Sequence, residues 1–132
     1  MTWRLIHLTV GLAGIVLFLF TGMHMRHHFP DAYATHEAVR FTYRANHVYV
    51  LVASLLNVCM SVYRTPAVGA AIVVLQCMGS IMLIVAAPVL IAAFYIEGAQ
   101  GSPQRMLTLI GIVLLAVGTA MQLPRLLEAD GR

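Results

Sequence analysis

The chain has 132 residues, of which 61% are apolar and 10% charged, and a net charge of +3. An average soluble domain carries about 25% charged residues, so this chain has too few to cover a water-facing surface, and its mean hydropathy of +0.87 suits lipid instead. All eight basic residues are Arg and are spread along the chain. They do not form the stripe of a nucleic-acid binder, and no nucleic-acid partner is expected.

A membrane-crossing helix needs about 20 mostly apolar residues. The first such run is 3–23, broken only by Arg4 and His7. It is too long for a signal peptide, and no small-residue cleavage site follows Phe20-Thr21-Gly22. The second run is 47–63, closed by Arg64-Thr65-Pro66. Upstream of it the residues keep a helical period back to His36, with Thr35 as a cap and Glu37 in the first turn, where the helix dipole favours an acid. Helix two is therefore expected to begin outside the bilayer. The third run, 67–96, is longer than a bilayer requires, and Pro88 inside it predicts a kink. The fourth is 104–123, started by Ser102-Pro103 and stopped by Pro124.

Short connections at 64–66 and 98–102 force antiparallel neighbours. The expected fold is all-α: one domain over 1–132, an integral membrane four-helix bundle running up-down-up-down, with both termini on one side. The pattern is that of small bacterial inner-membrane proteins. Arg26, Arg40, Arg44 and Arg105 fall on one side and Arg4, Arg64, Arg125 and Arg132 on the other. This tie gives no orientation by the positive-inside rule. Cys59 and Cys77 sit in apolar runs and read as small packing residues.

A polar row marks helix two. His36, Arg40, Tyr43, His47, Val50, Ser54, Asn57 and Ser61 recur every three or four residues and share an arc of about 100°. Such a row is costly against lipid and should face other helices. Matching seams are Arg4, His7, Gly11, Gly14, Phe18 and Thr21 on helix one, and Thr108, Gly111, Leu115, Gly118 and Gln122 on helix four. Helix three offers Gln76 and Ser80. Depth counted from Thr65 brings Asn57 and Gln76 to one level, so a hydrogen bond between them is expected.

Met23-His24-Met25-Arg26-His27-His28 is the most unusual stretch. On a helix, His24, His27 and His28 share a face that Pro30 would end, and His36 or His47 could add a ligand. Imidazole suits Cu, Zn and Fe, and Met thioethers bias toward Cu(I). The candidate metal set is thus His24, His27, His28, His36 and His47; the plainer alternative is that these histidines are interfacial residues beside Arg26, Tyr33 and Phe41. The spelling His-x-x-His-His resembles one histidine box of membrane fatty-acid desaturases and hydroxylases. That family uses several boxes to hold two irons, and only one is spelled here, so its ligand set does not carry over. A single haem b is the other cofactor to weigh, held by His24 and His47 where helix one ends and helix two begins. His7 lies about 25 Å from His24 along the helix and cannot join them. Arg40 and Arg44 would supply positive charge beside such a cofactor, a quinone or an anionic headgroup.

No triad, P-loop, GxGxxG or CxxC is spelled, and Asp31, Glu37, Glu97, Glu128 and Asp130 all fall outside the hydrophobic centres. An enzyme is not indicated. Glu97, on the histidine side, could orient a ligand imidazole, although such a residue is more often simply the helix's solvated end. Two functions remain: a protein holding a transition metal or haem at its His/Met-rich face, or a non-catalytic accessory or structural subunit of a larger membrane complex. The expected partners are the lipid bilayer and other membrane subunits or further copies of the chain.

Overall fold

The computed structural model describes residues 2–32, 34–62, 69–100 and 104–123. Its elements are α1 (Thr2–Ala32), α2 (Glu37–Val62), α3 (Ala70–Glu97), one 3-10 turn (Gly98–Gln100) and α4 (Met106–Ala120). The first three helices are long and apolar enough to cross a membrane. Helix α4 has 15 residues, about 22 Å, against about 30 Å of hydrocarbon. The fourth element is thus shorter than expected, its helix giving way to a turn at 121–123. The connection at 64–66, the Ser102-Pro103 start and the Pro124 stop lie outside the described residues.

Proline does not break either helix that contains it. Helix α1 passes through Pro30 to Ala32, correcting the expectation that Pro30 ends the histidine face. Only two helical residues follow it, so only one backbone bond is lost and little helix remains to misalign. Helix α3 runs through Pro88; the Ile84 carbonyl is the group that loses its in-helix donor there.

The helices pack in chain order. Helix α1 lies against α2, α2 against α3 and α3 against α4, while α1–α3 and α2–α4 contacts are slight. Each consecutive pair is antiparallel: His7 meets Asn57 while Thr21 meets His47, and Asn57 meets Leu83 while Asn46 meets Ala93. Helices α2 and α3 are thereby covered on two sides. Their apolar residues Val50, Ala53, Leu83, Ala86, Ala87 and Leu90, with Leu115 of α4, form the core.

Small residues set the spacing between helices. At Gly14 an added Cβ would sit 2.2 Å from Ser54 Oγ. At Gly79 it would sit 2.8 Å from the Gly118 carbonyl. Backbones approach closely only where such side chains are absent. The outer face of α1 carries Leu5, Leu8, Leu12, Val16, Leu19 and Met23, all exposed at helical spacing, as expected of a surface that meets lipid. Cys59 is exposed rather than packed, and Cys77 is half-buried.

Candidate functional site

The polar row of α2 turns inward over most of its length. Tyr43, Val50, Ser54, Asn57 and Ser61 are buried, Arg40 and His47 are half-buried, and His36 is exposed just outside the helix. All six residues of the α1 seam meet it. Arg4 Nε donates to the Ser61 carbonyl at 2.9 Å. Gly11 and Gly14 lie against Ser54 and Val58, and Phe18 stacks on His47 with ring centroids 3.9 Å apart. His7 is fully buried, with Nδ1 2.8 Å from Asn57 Oδ1.

Chemistry fixes the proton in that last contact. Asn57 Nδ2 donates to the Ala53 and Leu83 carbonyls at 2.9 and 3.0 Å, so its amide cannot be turned over. The atom facing His7 is then the oxygen, which only accepts, and His7 Nδ1 must donate. A similar argument applies to His47, whose Nδ1 is 2.8 Å from Thr21 Oγ1. The Thr21 hydroxyl donates its one proton to the Phe18 carbonyl at 2.9 Å. It therefore accepts from His47 Nδ1, and His47 Nε2 becomes the basic nitrogen. Gly22 lies against this ring: a Cβ there would press on His47 Cε1 at 3.3 Å and reach within 3.7 Å of Nε2.

A second polar cluster joins α2, α3 and α4. Asn46 Nδ2 donates to the Ala93 carbonyl at 2.9 Å, which turns Oδ1 toward Arg105 Nη2 and Thr108 Oγ1. Glu97, only 5% exposed, accepts from Leu107 N at 2.6 Å, Thr108 N at 3.0 Å and Thr108 Oγ1 at 2.6 Å. It thus caps the first turn of α4 from another helix, where free backbone donors and the helix dipole favour a carboxylate. Glu97 neither ends in solvent nor orients a histidine. Among the described residues Arg105 hydrogen-bonds only the neutral oxygens of Asn46 and Thr108, and its buried Nε has no partner there.

The expected Asn57–Gln76 bond does not form. Gln122 Nε2 takes the Gln76 carbonyl at 3.1 Å, and Gln76 Nε2 is buried without a partner. The error is one of register. The observed pairs Asn57–Leu83 and Asn46–Ala93 are centred near residue 70, not Thr65, which moves Asn57 about two turns further along α3. On α4, all five stripe residues from Thr108 to Gln122 are buried as expected.

The candidate ligands are only partly gathered. His24 stacks on His28 at 4.1 Å, and His28 Nδ1 donates to the His24 carbonyl at 3.1 Å. His24 also meets Tyr43, Phe94 and Tyr95 edge-on or tilted. His27 and His36 are exposed. His47 has its own neighbours, Phe18, Thr21 and Gly22, and makes no ring contact with His24. Among the described residues no three His, Cys, Asp or Glu side chains converge as a metal site would require. Arg40 lies over the Phe29 ring at 5.8 Å; with Glu37, Phe41 and the exposed Arg44 it lines a shallow depression of about 290 Å³.

Sequence reasoning missed Asn46 and the buried use of Glu97 and Thr108. Asn46 carries a signal, since Thr42, Asn46, Val50, Ala53 and Asn57 form a second helical row on α2. No protein-family model, characterised protein or solved structure matches the chain.

Proposed function

We propose that the chain is an integral membrane protein with four membrane-embedded helices, acting as a non-catalytic accessory or structural subunit of a larger membrane assembly. The observation that supports this reading is how its buried polar side chains are spent. Asn57, Asn46, Gln122 and Glu97 each bond a backbone group of another helix, and together they clamp α2, α3 and α4, with His7 tying in α1. Polar groups used in this way hold helices together in lipid. A rigid interior leaves the outer faces as the working surfaces. The test is migration of the tagged chain on native gels after extraction of its own membranes in mild detergent. An accessory subunit runs in a discrete assembly of reproducible composition. A chain that runs only as a monomer from untreated membranes counts against the reading.

A second reading has one observation in its favour. His47 is held by Thr21 with Nε2 left as the basic nitrogen, the arrangement used when a ligand imidazole donates its other N–H to a neighbouring oxygen. On this reading His47, with His24 and the Arg40–Arg44 face, holds a haem b or a Cu, Zn or Fe ion. The visible spectrum and metal content of the purified chain decide it. A Soret band or a stoichiometric metal lost in His47→Ala supports a cofactor role, and neither appearing removes it.

A further inference from the structure

We propose that the groove between α2 and α4 is a binding site for an anionic phospholipid, with the headgroup phosphate on Arg105 and one hydrocarbon chain laid along α4. The groove exists because α2 and α4 barely touch. It has two parts. A cavity of about 580 Å³ is lined by Gln104, Arg105, Met106 and Thr108 at its polar end. A second, of about 520 Å³, is lined by Val52, Leu56, Leu115, Ala116, Thr119 and Ala120. Tyr49 and Ile112 line both, so the two adjoin end to end along the groove.

Its chemistry changes along its length as an amphiphile's does. From Leu109 to Ala120 the α4 wall is almost wholly apolar over about 16 Å, enough to match the roughly 15 Å that one leaflet's chains occupy. Ala116 and Ala120 keep the channel open by leaving their positions small. At the other end stands Arg105, the one cation among the described residues that line the groove. The carboxylate nearest in the network, Glu97, directs both oxygens at the start of α4, and among the described residues no carboxylate hydrogen-bonds the guanidinium. Its two hydrogen bonds go to neutral oxygens. A guanidinium in that state, at the end of a hydrocarbon-lined channel, is complementary to a phosphodiester with an attached tail.

The test is native mass spectrometry of the purified chain in neutral detergent, titrated with dioleoylphosphatidylglycerol or dioleoylphosphatidylcholine. The chain should retain one lipid, with a preference of about fivefold for phosphatidylglycerol, the factor one basic side chain contributes at an anionic surface. Arg105→Gln should bring the two lipids to parity. Ala116→Phe should reduce retention of both, because it blocks the channel from an exposed position that touches none of the clamps. Circular dichroism checks that each variant folds; should Arg105→Gln not fold, Ala116→Phe and the wild-type preference decide. Equal retention of both lipids by the wild type, or unchanged retention in Ala116→Phe, overturns the proposal. So does a dimer that Ala116→Phe dissolves, since the groove would then hold a second copy.

Discussion

Replacing Asn57 tests the clamp at its most connected point. Its side chain is fully buried and makes three hydrogen bonds, two of them to other helices. Bonds between membrane helices are worth about 0.6–2 kcal/mol each, and a buried donor left without an acceptor costs about 1–3 kcal/mol. Asn57→Leu removes both cross-helix bonds and strands the proton on His7 Nδ1, so a loss of about 2–4 kcal/mol is expected. His7→Phe removes one bond and should cost less. In the double variant the stranded donor is gone, so the two losses should fall short of additive by about 1–2 kcal/mol. Gln76→Met is the control. Gln76 Nε2 is already buried without a partner, so its removal should be neutral or stabilising and independent of Asn57. Equilibrium unfolding in mixed detergent–dodecylsulfate micelles measures these four variants and the Asn57→Leu/Gln76→Met double. Additive losses for His7 and Asn57, or coupling between Asn57 and Gln76, would refute the assigned register.

Three further outcomes follow from other contacts. Gly14→Ala should cost about 1–3 kcal/mol by overpacking, because its Cβ would lie 2.2 Å from Ser54 Oγ; adding Ser54→Ala should recover part of that in the same unfolding assay. Glu97→Ala should speed hydrogen exchange at the Leu107 and Thr108 amides and destabilise more than Glu97→Gln, which keeps one acceptor for them; unchanged exchange would return Glu97 to a solvated helix end. Nitrogen NMR of the imidazoles should place a proton on Nδ1 of both His7 and His47, and Thr21→Val should alter only the His47 signal.

The seams of α1 and α4 were legible because small and polar residues at helical spacing are hard to explain on a lipid-facing surface. The row on α2 was legible too, but only as one row. A helix covered by a neighbour on each side needs two inward faces. His47, Ser54 and Ser61 mark the face toward α1, Asn46 and Ala53 mark the face toward α3, and Tyr43 lies between them, against Phe29 and Phe94. A single 100° arc captures the first and excludes Asn46, because the arc was drawn as though α2 had one partner. The histidine cluster shows a different limit. Spacing on one helix correctly paired His24 with His28. It carried no information about the rotation of α2, which puts His47 against Phe18 and Thr21 instead.

The partner of Asn57 was hidden for a physical reason. A search for polar side chains at its depth finds Gln76, yet the acceptors on α3 are the main-chain carbonyls of Leu83, for Asn57, and Ala93, for Asn46. Every helical carbonyl keeps a second lone pair after its in-helix bond, so an interior amide needs only a close approach to find an acceptor. Small side chains permit that approach: Ala86, Ala87 and Ala93 are all buried in the face α3 turns inward. The sequence mark of such a bond is therefore Asn on one helix and alanine on the next, not two polar residues at matching heights. By that criterion the stretch 83–93 of α3, with its buried alanines, rather than Gln76, is the surface α2 is built to grip.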